Sequence, residues 1–420
     1  MRRAFHAFAF AVAVLAAGMA GVAQVPEPQP DIPGLEGLPP SSQQLFRIRV
    51  HMAEILEHQP DYTCLETVER SYRAPSARNM QYDDTLRLEV ALVDGKEMFA
   101  WPGSKKFEET DLRKLVPTGT FGNGNFALHA RSVFLGHAAT FTYRGAEIYV
   151  GSKGALERYD FRVPRVLSGY NIRVLDRSGI AGYHGSFWAD KESLDVSRLE
   201  IIAEDIPPDL GVTAASDRMD YARLLIGSGQ FLLPAESELD MTDSYGIESR
   251  NQVRFTNCRQ YTGESTLTFD DIDPTPSDAP PAELPEMDLP ADLSFAVALE
   301  EALDLDTAAV GDPVRGRLNA ALRRKGQVLA AKGAMVDGRV TRLERHDSYI
   351  VLGITLSGLE SATARWRVNA KLDNVAGIQF LTPPRNVRIQ PGPPQAGEGL
   401  IVLRSGRVRL ARGILMYWTT

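Results

Sequence analysis

Cys64 and Cys258 are the only two cysteines in the 420-residue chain. Between them lies an almost unbroken series of segments in which apolar and polar residues alternate. That pattern calls for antiparallel strands, and it places one cysteine near each end of the series. In an oxidising compartment two such cysteines pair, and two free buried thiols are the alternative. Neither their spacing nor their neighbours make a zinc site or a redox CxxC motif.

The N-terminus points to such a compartment. Arg2 and Arg3 precede an apolar run from Phe8 to Ala17, and Gly21-Val22-Ala23 offers small residues for cleavage before Gln24. Residues 1–23 therefore read as a secretory signal. A retained anchor is the competing reading, but the apolar run is shorter than the ~20 residues a bilayer requires. Arg2-Arg3-Ala4-Phe5 is a faint twin-arginine pattern, and no cysteine follows that would make a lipoprotein signal. No later stretch is long and apolar enough to span a membrane, so no transmembrane segment is expected after cleavage.

Two proline-rich stretches divide the remainder. Residues 24–40 hold Pro26, Pro28, Pro30, Pro33, Pro39 and Pro40 and read as a spacer. Residues 271–291 hold six prolines, six acids and no base, a composition that favours an extended linker. Two folded units are expected, at 41–270 and 292–420, each large enough for its own core. Residues 24–270 carry 26 basic and 36 acidic side chains, and residues 292–420 carry 18 and 12. No nucleic-acid partner is expected of a chain so balanced. The basic second unit has the charge to meet an anionic envelope surface, or simply to present a solvated arginine-rich face.

The first unit opens with a helix. Ser41 or Ser42 is placed to cap it, Leu45, Ile48, Met52, Ile55 and Leu56 recur at helical spacing, and Pro60 closes it. Strands follow, with an Asp94-Gly95 hairpin turn between Leu86–Leu92 and Lys96–Trp101. Short helices are expected near Asp111–Leu115 and Phe126–Leu135. The fold class is mainly β (α+β): a curved antiparallel half-barrel with helices on its concave side, followed by a small C-terminal β-barrel or sandwich. Such a half-barrel would be lined by Leu88, Val90, Phe99, Trp101, Tyr143, Phe161, Trp188, Ile201 and Phe231. If the helices leave the concavity partly empty, an apolar pocket remains for an acyl chain, at ~0.8 kcal/mol per buried methylene. If they fill it, these residues are ordinary core.

Candidate reaction centres are sparse. His51, Glu54 and His58 share one helix face, as metal ligands would, but they do not form HExxH and read more simply as a solvated flank. Gly119, Gly122 and Gly124 make a supple loop without the Lys-Ser or Lys-Thr of a phosphate loop. It reads as a turn before a helix or as a gate over the concavity. Tyr183-His184-Gly185-Ser186 places imidazole beside hydroxyl, yet within a strand rather than on a nucleophile elbow. No cofactor or metal is implied.

The order of segments resembles the outer-membrane lipoprotein carrier (LolA-like) superfamily. The residues that carry the likeness are LRLEVALVDGKEMFAWP at 86–102, FWADKESLDVSRLEI at 187–201 and DYARLLIGSGQFLLPAESEL at 220–239. The resemblance covers residues 41–270 and implies a concave periplasmic sheet that holds lipid or a lipidated partner without a cofactor. Gly311-Asp312-Pro313-Val314 and Lys332-Gly333-Ala334 are similar to the small periplasmic β-domains of conjugal-transfer and type IV secretion scaffolds, which implies assembly. The expected protein is non-enzymatic, periplasmic and outer-membrane-associated. It would bind an apolar ligand or lipidated protein in the first unit and an envelope protein through the second. A scaffold or chaperone-like module with a filled core is the alternative, and a hydrolase of envelope polymer is the third reading.

Overall fold

The computed structural model describes residues 35–104, 107, 112–116, 120, 122, 126–149, 151–152, 154–174, 177–261, 284–346, 348–378 and 397–420. The signal, most of the first spacer, residues 271–283 of the linker, Gly119 and Gly124 lie outside them.

The chain is mainly β, built on a curved antiparallel half-barrel with helices on its concave side and further β-sheets. The first helix, α1, runs over Pro40–Glu57. Neither Ser41 nor Ser42 caps it. The N-cap is Pro39, and Pro40 at the first helical position supplies a preset φ without wasting a backbone donor. Eleven of the strands that follow are β1 (Tyr62–Arg73), β2 (Gln81–Val93), β3 (Lys96–Ala100), β4 (Thr140–Glu147), β5 (Leu156–Val163), β6 (Asn171–Val174), β7 (Arg177–Ile180), β8 (Gly182–Ala189), β9 (Val196–Glu204), β10 (Val212–Ile226) and β11 (Gly229–Asp243). β12 (Glu248–Gln260) completes the unit, and α2 (Leu112–Leu115) and α3 (Leu128–Phe134) lie between β3 and β4.

Ten of these strands form one sheet in the order β3-β2-β1-β12-β11-β10-β9-β8-β5-β4, while β6 and β7 pair apart as a hairpin. Sequence neighbours are mostly sheet neighbours, as expected from the short turns. Asp94 and Gly95 take positive φ of 49° and 74°, the hairpin geometry their sequence calls for. The one long-range pairing is β1 with β12, which joins the first strand to the last. Cys64 and Cys258 form a disulfide across that seam, where the register shifts between Thr63 and Leu65.

The face opposite α1 is polar and laced by cross-strand ion pairs. Arg198 meets Asp220 at 2.6 Å, Arg250 meets Asp240 at 2.6 Å, and Arg254 meets Glu236 at 3.5 Å. Pairs of this kind hold neighbouring strands in register while leaving the face to water.

The second unit holds β13 (Glu286–Asp288), β14 (Ser294–Leu299), β15 (Leu303–Asp304), β16 (Pro313–Leu318), β17 (Leu322–Arg324), β18 (Gln327–Ala330), β19 (Met335–Arg345), β20 (Tyr349–Glu360), β21 (Arg365–Arg367), β22 (Lys371–Val375), β23 (Glu398–Arg404), β24 (Arg409–Leu410) and β25 (Leu415–Thr419). Most belong to one sheet, with β20 at its middle between β19 and both β21 and β23. Residues 286–288 fall at the end of the expected linker but are a strand here. Glu286–Asp288 pairs with β21, Asp288 meets Arg367 at 2.8 Å, and Leu289 is buried.

The second unit is seated on the first. β3 covers only Glu89–Val93 of β2, which leaves the preceding edge of β2 open. Val310 takes that edge. Its N–H donates to Thr85 O and its carbonyl accepts from Arg87 N, both at 2.8 Å. Arg87 Nη1 reaches Asp312 Oδ2 at 2.6 Å, and the Arg339 guanidinium lies 5.3 Å from the Trp101 ring centroid. One apolar cluster consequently runs from Tyr62, Leu88 and Phe255 to Ile354, Trp366 and Trp418.

Two tests follow from these joints. Cys64→Ser/Cys258→Ser opens a 194-residue loop, for which the chain-entropy account gives a loss of up to about 5 kcal/mol. The urea midpoint should fall accordingly, and an unchanged midpoint would show that the seam holds without its bridge. A Cβ added at Gly311, where φ is +100°, would lie 2.3 Å from Arg87 O and 2.7 Å from the Trp101 ring. Gly311→Val should therefore unseat the second unit, splitting one calorimetric unfolding transition into two.

Candidate functional site

The inner face of the half-barrel is where a ligand of the expected kind would sit. Three segments cover it. From α1, Ile48, Met52 and Leu56 are buried in a cluster with Tyr159, Phe161, Phe187, Leu199, Ile201 and Met219. α3 adds Val133 and Phe134, the latter edge-on to Phe187 at 5.1 Å. α2 and the residue after it add Leu112 and Val116 over the β1–β2–β12 end.

These covers are tied together by their termini. Ala127, the N-cap of α3, has no side-chain cap of its own. Glu97 Oε1 accepts from the N–H groups of Ala127 and Leu128 at 2.8 and 3.3 Å instead. Arg131 of α3 donates to Leu56 O at 2.8 Å, satisfying a carbonyl at the end of α1. The Asp94-Gly95 turn thus positions Glu97 to orient α3, and α3 orients α1.

Eight of the nine expected lining residues separate into three groups. Leu88, Val90 and Phe99 are buried in the larger cluster, with Trp101 and Phe231 packed against it. Phe161 and Ile201 are buried beneath α1. Tyr143 stands at the sheet edge, 41% exposed, its ring 5.1 Å from Tyr159. Trp188 does not line the hollow. Tyr183 and Phe187 point inward from β8, so the intervening parity sends His184, Ser186 and Trp188 to the other face. There the Trp188 indole N–H donates to Glu147 at 2.6 Å, beneath the Arg158 guanidinium. Consecutive aromatics at Phe187 and Trp188 hide that parity in the sequence.

An enclosed space remains over β1. It measures about 10 Å³ and is bordered by Val68, Leu86, Leu88, Val116, Asn251 and Glu66. Such a volume admits about one water and no acyl chain. Glu66 is the unusual member. The inward row of β1 reads Tyr62, Cys64, Glu66, Val68, Arg70, so a carboxyl and a guanidinium enter the core. Arg70 is neutralised by a bidentate pair with Asp84, at 2.6 and 2.5 Å. Among the described residues Glu66 has no such partner, and its Oε2 is buried without a hydrogen bond. Burial pushes its carboxyl up to about 8, and the nearby charge of Glu97 adds to the shift. It is a neutral acid at pH 7, aimed at a water-sized space.

Nothing in the sequence pattern singled out Glu66, although a carboxylate at an inward position of an alternating strand is the signal that would have found it. A second inward cluster forms around His129 of α3. His129 Nε2 lies 3.5 Å from Asp217 Oδ2, which accepts from the Tyr170 hydroxyl at 3.0 Å. The Tyr170 ring stacks on His129 at 5.6 Å, and burial, then Asp217, holds its phenol well above the ordinary range. His129 and Asp217 are both buried, and they border neither the Glu66 space nor the outer groove.

The remaining candidates resolve into local bonds. His51 Nε2 donates to Asp195 at 2.8 Å, and Arg223 grips the same carboxylate at 2.6 and 2.7 Å. His58 Nδ1 donates to the Glu54 carbonyl rather than turning its ring toward a shared ligand with His51. Among the described residues no group of three or more His, Cys, Asp or Glu side chains is arranged around a metal position. His184 faces Glu204 at 3.4 Å and Ser186 donates to Asp160 at 2.8 Å, so the pair is not a nucleophile and its base. Among the described residues no helix is long and apolar enough to cross a membrane.

No family model matches the chain, and no curated protein matches it. Among solved structures it is similar to a DUF1329 family protein from Desulfovibrio piger ATCC 29098. The identity is 10% and the TM-score 0.29, over 54% of this chain and 95% of that one. A superposition at that level carries no argument about fold or function.

Glu66 supplies a pH test. Its carboxyl ionises near 4.5 when unfolded and near 8 when folded. Between those values the folded state binds more protons, so stability falls as pH rises. The loss is on the order of 4 kcal/mol by pH 8. Glu66→Gln should flatten that part of the profile and raise the urea midpoint at pH 8 relative to the parent. Parallel profiles for the two proteins would contradict a neutral, buried Glu66.

Proposed function

We propose that the protein is an exported, non-catalytic scaffold of the bacterial envelope, in which the half-barrel is a rigid seat for the second β-unit. The observation that carries this reading is the filled inner face. α1, α2 and α3 occupy the concavity, and the space over Glu66 takes about one water. The signal-like N-terminus and the Cys64–Cys258 disulfide support an oxidising, periplasmic location. The resemblance of residues 41–270 to the lipoprotein carrier superfamily, and of residues 292–420 to secretion-scaffold domains, supports an envelope setting and outer-membrane association. On this reading the partner is another envelope protein, met by the second unit.

Carriage of an apolar or lipidated ligand is the second reading, favoured by one observation. The residues beside Glu66 are apolar, and their cover at Leu112 and Val116 belongs to a helix of only four residues. Loading would require that cover to leave.

Native mass spectrometry of protein purified from an exporting bacterium, with lipid extraction of the same sample, separates the two. The scaffold reading expects the bare polypeptide mass and no stoichiometric acyl chains. One lipid per chain, lost on Leu88→Trp, would overturn it in favour of the carrier.

A further inference from the structure

The polar face of the sheet carries a groove that the scaffold reading does not use. It crosses β4, β5, β8 and β9 and encloses about 630 Å³. Three interstrand spacings make it roughly 14 Å wide. Cross-strand register builds its floor. Thr142 pairs with Asp160, Asp160 with Ser186, and Ser186 with Glu200, so short hydroxyl side chains alternate with carboxylates.

The charged groups hold one another in place. Asp160 accepts from Arg144 Nε at 2.6 Å, Arg158 Nε at 3.0 Å and the Ser186 hydroxyl at 2.8 Å. Arg158 also donates to Ser186 Oγ at 3.2 Å, and Arg162 Nε donates to Glu204 at 2.6 Å. Three arginines thus face three carboxylates, so the charges of these six side chains balance. Glu200 differs from its neighbours. It is half-buried at the end of the row with no hydrogen-bond partner among the described residues, and burial raises its carboxyl despite Arg198, Arg218 and Arg158 nearby.

That balance selects the ligand. A phosphate or other anion would have to displace carboxylates already matched to the arginines, and a cation would meet those arginines. An apolar chain would take these ion pairs and the Glu200 carboxyl out of water without offering them a hydrogen bond. Hydroxyl groups both donate and accept, so they bridge guanidinium and carboxylate without breaking either pair. The groove is open to solvent rather than closed over.

We propose that this groove binds a neutral glycan strand, seated across Ser186 with its hydroxyls shared between Arg158, Asp160 and Glu200. It lies on the opposite face from the apolar hollow, so it stands whichever reading of the hollow holds.

Calorimetric titration of the full-length exported protein with chitotetraose and maltotetraose tests it, with an anionic polysaccharide as control. Saturable binding of a neutral tetrasaccharide, insensitive to added salt, is expected. Ser186→Leu, which fills the floor, and Glu200→Gln, which leaves the packing intact, should each weaken binding by about tenfold. Circular dichroism of both variants verifies that the sheet is retained. No binding of either neutral oligosaccharide, unchanged affinity in Glu200→Gln, or uptake of the anionic polymer alone with steep salt dependence would each overturn the proposal. Cleavage of a bound probe would remove the non-catalytic part of the scaffold reading and leave the groove assignment standing.

Discussion

The structure depends on one long-range pairing, β1 against β12. Every other neighbour pair in the half-barrel is close in sequence and joined by a short connection or a small insertion. Bringing Tyr62–Arg73 to Glu248–Gln260 closes a loop almost as long as the domain, at an entropic cost that local contacts do not offset. Two features compensate. Eleven register pairs run along the seam, and the disulfide removes much of the same entropy from the unfolded chain. The bridge also sits at the bulge, where the ladder itself is weakest.

Once that seam closes, the concavity must be filled or left wet. Here it is filled by α1 and by two short helices that have little stability alone. α3 spans seven residues and α2 four, far below the length at which isolated helices persist. The order of α3 comes from Glu97 of the sheet at its start and from Arg131, which ties it to the end of α1. Among the described residues Glu66 is an inward carboxyl whose Oε2 this packing leaves without a hydrogen bond. A buried acid without a partner costs stability as pH rises, and its presence next to a water-sized space marks where the filling is least complete.

Much of the fold was legible because its signals are local. Period-two alternation in Leu86–Leu92, the Asp94-Gly95 turn and the apolar stripe of α1 each follow from neighbouring residues, and the cysteine pair marked the seam. What was hidden depends on residues far apart. The parity of Trp188 is set by Phe187 and by the strands on either side, so alternation within the segment does not reveal that it faces outward. The extension of the second sheet to Glu286–Asp288 needs Arg365–Arg367 as a partner. The site was less legible than the fold for the same reason. Glu66, the His129–Asp217 pair and the Arg158–Asp160–Ser186 row acquire meaning only when strands distant in sequence lie side by side.

The seating of Val310 on the open margin of β2 also bears on what happens when the chain is divided. An uncapped strand margin offers free N–H and C=O groups to any passing backbone. With Val310 in place, Thr85 and Arg87 are already engaged. A polypeptide ending before residue 284 would present them bare, beside apolar surface normally shared with Ile354 and Trp418. The second unit therefore closes a margin that would otherwise be free to pair with the same margin of another copy.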